Sequence, residues 1–157
     1  MMLLISLRDF LESGRFGTIS LGAGRRALEQ AFGEPEAVDA DSVRKRRPPA
    51  IIKYLDVEFH FDDEGLLWLI HVDRFSDPGH TPQGWGRCQI GPWIIREGLP
   101  RAELEREFAV GQYVVESSPE LERETVVFAS GVSVGFNTGS LEFARLSYLS
   151  SSQRNRS

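Results

Sequence analysis

The stretch ISLGAGRRALEQAF (residues 19–32) has a close counterpart later in the chain, IREGLPRAELEREF (residues 95–108). The two align without a gap at an offset of 76 residues, and six of their fourteen positions are identical. In each copy a glycine precedes a segment whose apolar residues recur on one face of a helix. The apolar positions Phe32 and Phe108 correspond in this alignment. A short amphipathic helix is therefore predicted twice.

A β-hairpin pattern follows each predicted helix. The first, YLDVEFHFDDEGLLWLIHVD (residues 54–73), alternates apolar and polar residues on both sides of the turn sequence DDEG. The second, GVSVGFNTGSLEFARLSYL (residues 131–149), alternates around NTGS and aligns with the first at an offset of 75. Further strands are predicted in PAIIKY, TVVFAS and GQYVVES. The repeat thus extends from the helix into the sheet.

The predicted fold class is α+β, with a duplicated unit of short helices plus an antiparallel β-meander. Each meander has one apolar face that short helices can cover. Side-by-side packing would then join the meanders into one sheet with helices on one face. The predicted boundaries are a first repeat over residues 1–75, a Gly/Pro-rich linker and entry over 76–92, a second repeat over 93–149 and a disordered tail over 150–157.

Composition limits the classes of function. The chain has 157 residues, 41% hydrophobic and 26% charged, with a formal net charge of -5, which argues against nucleic acid and favours a basic protein partner. The basic run RKRRPP (residues 44–49) is short and is expected to be a solvated loop. Cys88 is the single cysteine, and no run approaches the length of a membrane span. We expect a cytoplasmic monomer or homodimer without membrane or cofactor.

Strand parity in the first hairpin predicts a candidate binding face. Pairing Asp62 with Gly65 places Asp56 opposite His71, on the face away from the apolar one. Apolar residues rimmed by charge are typical of protein-binding surfaces. The predicted partner-binding residues are Tyr54, Asp56, Glu58, His60, Leu67, Leu69 and His71.

Three hypotheses of function remain open at this point, and a non-catalytic protein-binding module is preferred. The first alternative is a small metal-dependent or acid–base enzyme, because imidazole and carboxylate groups both bind divalent metals. It would use Asp56, Glu58, His60 and His71. The chain has no Gly-rich phosphate loop and no nucleophile elbow, so no catalytic residue is predicted. The second alternative is a structural module in which the same face forms a homodimer.

The order of glycine, helix and hairpin resembles that of the β-lactamase inhibitor proteins, which are tandem helix–helix–β-meander proteins, and of the related single-copy outer-membrane assembly lipoproteins. It is carried by ISLGAGRRALEQAFGEP with YLDVEFHFDDEGLLWLI, and by IREGLPRAELEREF with GVSVGFNTGSLEFARL. The resemblance implies a concave sheet that binds an enzyme. The chain lacks the paired cysteines and an evident secretion signal of those inhibitors. Bacterial immunity proteins, which are small acidic binders of toxins, are therefore the closer functional analogy. This analogy implies a basic toxin or enzyme as the partner.

Overall fold

The computed structural model describes residues 2–75, 79–138 and 145–152. The helices in these residues are α1 (Leu7–Ser13), α2 (Arg25–Phe32), α3 (Ala40–Arg44), α4 (Arg101–Glu105) and a 3-10 turn (Pro119–Leu121). The strands are β1 (Leu3–Ile5), β2 (Ala37–Val38), β3 (Ile51–Tyr54), β4 (Val57–Phe61), β5 (Leu67–Val72), β6 (Cys88–Ile90), β7 (Tyr113–Ser118), β8 (Arg123–Phe128), β9 (Val132–Asn137) and β10 (Arg145–Ser152).

Eight of these strands form one antiparallel sheet in the order β2-β3-β4-β5-β10-β9-β8-β7. Strands β2 to β5 form a first meander, and strands β7 to β10 form a second. The two meanders meet where β5 pairs with β10 at Val72 and Leu149. The α+β fold class and the joining of the two meanders into one sheet are confirmed.

The helical layer covers one face of this sheet. In the first meander, the ring of Phe59 on β4 lies 5.8 Å from Phe16 and 5.6 Å from Phe32 at the end of α2. In the second meander, the ring centroid of Phe108 lies 4.7 Å from that of Phe128 on β8. These rings are all buried in one core cluster, to which α1 also contributes Phe10. We call this side of the sheet the inner face and the opposite side the outer face.

The two repeats place their corresponding phenylalanines at equivalent positions. Phe32 packs on Tyr54, the last residue of β3, at 5.8 Å between ring centroids. Phe108 packs on Phe128, the last residue of β8, and β3 and β8 are the second strands of their respective meanders. Both phenylalanines are buried, with exposed fractions of 4% and 8%. The identity seen in the sequence alignment thus reflects one packing role used twice.

The structure places strands in two segments that the sequence predicted as linker and tail. The segment 76–92, predicted as a linker and the entry into the second repeat, contains β6, which pairs in parallel with β1 through Leu3 and Cys88. The tail does not begin at residue 150, since β10 continues to Ser152. Strands of three residues are too short to produce a visible alternation, so β1 and β6 leave no pattern in the sequence. Residues 76–78 and 153–157 lie outside the described part of the chain.

The hairpin registers also differ from the predicted ones. In the first hairpin Val57 pairs with Val72 instead of Ile70, and Phe61 pairs with Leu67 after a register shift at His60. The Asp62 carboxylate accepts hydrogen bonds from the backbone N–H groups of Glu64 and Leu66, both at 2.9 Å, which lengthens the turn.

In the second hairpin Val134 pairs with Leu149, whereas the predicted NTGS turn would place it opposite Phe143. The connection between β9 and β10 is therefore longer than predicted. Residues 139–144 of that connection are not among those described.

The basic run begins inside a helix and not, as predicted, in a loop. Arg44 is the last residue of α3, and Asp39 caps the start of this helix by accepting from the N–H of Ser42 at 2.9 Å. Lys45 and Arg47 both form exposed ion pairs with Asp41. The run therefore has a local carboxylate partner, which reduces its net positive charge.

Candidate protein-binding face

The outer face of the first meander carries the part of the predicted site that the fold brings together. In β4 the side chains of Val57, Phe59 and Phe61 are buried in the core, so Glu58 and His60 lie on the outer face. In β5 the side chains of Ile70 and Val72 are buried, which places Leu69 and His71 on the outer face. Cross-strand pairs then bring together four predicted residues: Glu58 opposite His71 and His60 opposite Leu69.

Trp68 joins these four residues and was missed in the sequence. The predicted register placed it opposite Phe59, on the inner face. The register shift at His60 instead leaves its ring 5.8 Å from the His60 ring in an edge-to-face arrangement. We call Glu58, His60, Trp68, Leu69 and His71 the β4–β5 patch; all five are partly exposed.

The patch has a defined electrostatic character. Glu58 Oε2 lies 3.0 Å from His60 Nε2, and the side chain of His71 lies 3.7 Å from that of Asp73. Burial lowers the pKa of His71 despite the opposing effect of Asp73 and Glu58, so this ring is mostly neutral at pH 7. Lys53 lies opposite Glu58 on β3 and is the nearby cation. The carboxylates of Glu58 and Asp73, against the one ammonium group of Lys53, make the patch mildly acidic.

Strand β10, which pairs with β5, has serines at the positions next to the patch. Ser150 of β10 lies opposite His71, and Ser152 lies opposite Leu69. On the next strand, Ser133 pairs with Ser150. The patch thus sits beside positions occupied by small residues, near the junction of the two meanders.

Tyr54 and Leu67 do not belong to the outer face, so these two predictions are wrong. Tyr54 is 1% exposed and Leu67 is fully buried. The turn between β3 and β4 has only two residues, Leu55 and Asp56, with Leu55 at φ 49, and it pairs Tyr54 with Val57. Paired residues share a face, so Tyr54 lies on the same face as Val57. Uninterrupted alternation would instead have placed it on the face of Glu58. Leu67 pairs with Phe61 and enters the core with it.

Tyr54 has a structural role at the core boundary. Its hydroxyl donates a hydrogen bond to the Gly33 carbonyl oxygen at 2.6 Å, and its ring stacks on Trp85 at 5.2 Å between centroids. Burial raises the pKa of Tyr54 to about 12, so the hydroxyl remains protonated and able to donate. Tyr54 therefore joins the end of α2 to the first meander.

Replacing Tyr54 with phenylalanine should lower the free energy of unfolding by about 1 kcal/mol, because the Gly33 carbonyl loses its donor. Urea denaturation checks this value. Tyr113→Phe, at a partly exposed tyrosine, is the control and should cost less. An unchanged stability of Tyr54→Phe would contradict the assigned hydrogen bond.

Asp56 also lies away from the patch, contrary to the prediction. It is 1% exposed and accepts from His80 Nε2 at 2.7 Å and Arg74 Nη1 at 3.2 Å. The backbone N–H of Gln83 lies 3.4 Å from the same carboxylate. The turn between β3 and β4 is thereby fastened to the segment that leads into the second repeat. His80 was not among the predicted site residues, because it lies 24 positions after Asp56 and no sequence pattern links the two.

This arrangement separates the four side chains that the enzyme hypothesis brings together. Asp56 lies in a buried turn with His80, whereas Glu58, His60 and His71 lie on the outer face. Within the described residues no three His, Cys, Asp or Glu side chains are grouped closely enough to hold a metal ion. The outer face of β4 and β5 instead carries partly exposed aromatic and aliphatic groups, Trp68 and Leu69, beside polar ones.

Comparisons of the chain with protein-family models, curated proteins and solved structures gave no match. Across the described residues, none of the helices has the length and apolar character needed to span a membrane. What the protein binds is therefore inferred from its own residues.

Proposed function

We propose that the protein is a non-catalytic protein-binding module whose binding surface is the β4–β5 patch. The observation that carries this proposal is the partial exposure of Trp68 and Leu69 among Glu58, His60 and His71. The helices α1, α2 and α4 contribute their apolar residues to the core on the inner face, so they do not cover these two side chains. An aromatic and an aliphatic residue surrounded by polar groups match the centre and rim of a protein interface.

The position of the patch in the sheet supports this role. Strand β4 pairs with β3 and β5, and β5 pairs also with β10, so the backbone of the patch is held on both sides. The Trp68 ring is packed against His60. A surface already held in one conformation loses little entropy on binding, which favours affinity.

Charge favours a basic protein as the partner. The chain carries a net charge of -5, and Glu58 and Asp73 add local negative charge near the patch. Opposite charge accelerates encounter, whereas desolvation of Trp68 and Leu69 would slow dissociation. We infer that the partner is a basic toxin or enzyme in the same cytoplasm, whose activity the bound module blocks.

A photo-cross-linking amino acid at position 69 tests the proposal in the native host. The control carries the same group at Val43, which is 61% exposed on α3. We expect a protein to be cross-linked from position 69 and not from position 43. The purified partner is then titrated with Leu69→Asp and with the matched surface variant Val43→Asp. Leu69→Asp should weaken binding roughly tenfold or more, and Val43→Asp should leave the dissociation constant unchanged.

Charge reversal at the patch provides a second measurement of binding between the protein and its purified partner. Glu58→Lys should slow association and reduce its dependence on salt if the partner is basic. A partner that binds Leu69→Asp as tightly as the original protein would show that the patch is not its site. Cross-linking of a second copy from position 69, with a concentration-independent dimer in light scattering, would instead establish a homodimer interface.

A further inference from the structure

The two edges of the eight-stranded sheet differ in their protection. The edge strand β2 has two residues and follows Pro35, so it offers little backbone for pairing. The opposite edge strand, β7, has six residues and pairs with β8 along its whole length without a register shift. No strand in the described part of the chain pairs with the other side of β7. As far as the described residues show, its outward N–H and C=O groups are open to a further strand.

Strand β7 lacks several of the features that usually prevent edge-to-edge pairing, and Glu116 is its one charged residue. It contains no proline, no lysine and no β-bulge, which are the common protective devices. Val114 is 60% exposed and the adjacent Val115 is 39% exposed. Neighbouring residues of a strand point to opposite faces, so both faces of this edge present an exposed β-branched side chain. A regular six-residue edge with an exposed valine on each face is suited to strand addition.

We propose that β7 binds an extended segment of a basic partner protein, which adds a ninth strand to the sheet. The sequence from residue 113 to 123 contains Glu116, Glu120 and Glu122 against one basic residue, Arg123. None of the three glutamates has an ion-pair partner among the described residues. A second copy of the chain would bring the same acidic hairpin and a net charge of -5 to this edge. Charge complementarity therefore selects a basic segment.

The alternation of β7 defines the side chains that the partner segment needs. Val114 and Glu116 lie on one face of the strand, and Val115 lies on the other. Cross-strand neighbours of like character stabilise a pair of strands, as do neighbours of opposite charge. The best segment has apolar residues opposite the two valines and a lysine or arginine opposite Glu116. This surface is distinct from the β4–β5 patch, since β10, β9 and β8 lie between β5 and β7.

Two synthetic peptides test the proposal on the full chain. One repeats Val-Val-Lys with lysine at both ends, and the other has glutamate in place of every lysine. Binding is measured by fluorescence anisotropy, and the backbone amides involved are located by hydrogen exchange. We expect saturable binding of the basic peptide, with exchange slowed about tenfold or more at β7 amides and unchanged at β2. The acidic peptide should bind about tenfold more weakly or not at all.

Variants at the two edges separate specific pairing from general attraction to an acidic protein. Val114→Lys should weaken binding of the basic peptide about tenfold, because a lysine protects an edge strand and repels this peptide. Glu116→Lys should reduce the preference for the basic peptide over the acidic one. Ala37→Lys on the opposite edge strand is the matched control and should leave binding unchanged. Leu69→Asp, which tests the outer-face patch, should also bind the peptide normally.

Two results would overturn the proposal. Equal loss of binding in Val114→Lys and Ala37→Lys, without protection of β7 amides, would show nonspecific charge attraction. A dimer in light scattering that protects the β7 amides in the absence of peptide would make a second copy the occupant of this edge.

Discussion

Replacing Phe32 with alanine should lower the free energy of unfolding by about 3–5 kcal/mol, which is the usual cost of removing a buried phenylalanine. Four aromatic rings surround this side chain, and the cavity left by alanine would be lined by all of them. The centroid distances are 6.1 Å to Phe16, 5.8 Å to Tyr54, 5.6 Å to Phe59 and 5.6 Å to Trp85.

The corresponding change in the second repeat, Phe108→Ala, should cost less, about 2–4 kcal/mol. Phe108 has two ring neighbours, Trp93 at 6.2 Å and Phe128 at 4.7 Å, and an Arg8 guanidinium at 5.1 Å, and it is more exposed than Phe32. Its site borders solvent, so water can enter the space that the ring leaves.

Urea denaturation of the two single variants and of the double variant measures these differences. The two rings have no aromatic neighbour in common, so their costs should add to within about 0.5 kcal/mol. Phe32→Leu is the control for volume and should cost less than about 1.5 kcal/mol. A larger loss for Phe108→Ala than for Phe32→Ala would contradict the packing described for the two repeats.

The duplicated fold was predictable because its strands and helices carry strong periodic patterns. Strand β4 alternates strictly over its five residues, with burial alternating in the same way. The helix α2 buries Leu28 and Phe32, which the repeat alignment had singled out. The parity that assigned Glu58 and His60 to the outer face required only this local alternation, and it remained valid.

The errors in the candidate site come from turns and bulges. These reverse the face on which the neighbouring residues lie, and they leave no clear pattern in the sequence. Leu55 occupies a positive-φ position that leucine rarely adopts, so the two-residue turn between β3 and β4 was not evident. As a result Tyr54 was placed on the wrong face, and Asp56 was placed on the outer face instead of in the turn. The register shift after His60 had the same effect on Leu67 and Trp68. Leu69 and His71, beyond the shift, were assigned correctly.

Replacing Asp56 with alanine should lower the free energy of unfolding by about 2–4 kcal/mol. The carboxylate is 1% exposed and accepts from the His80 ring, which is 14% exposed, and from the N–H of Gln83, so its loss leaves both donors without this acceptor. Arg74 contributes less to this cost, because its side chain is 50% exposed and its ion pair is screened by solvent.

Asp56→Asn separates the charge of this group from its shape. The amide oxygen still accepts one hydrogen bond, so we expect a smaller loss of about 1–2 kcal/mol. Asp73→Ala is the matched control, since this carboxylate is 39% exposed and lies 3.7 Å from His71, and it should change stability by less than about 0.5 kcal/mol. Hydrogen exchange should show the largest effect of Asp56→Ala in the segment around Gln83, which Asp56 ties to the sheet. Stability equal to that of Asp73→Ala, with unchanged exchange near Gln83, would mean that the connection between the repeats is held by other contacts.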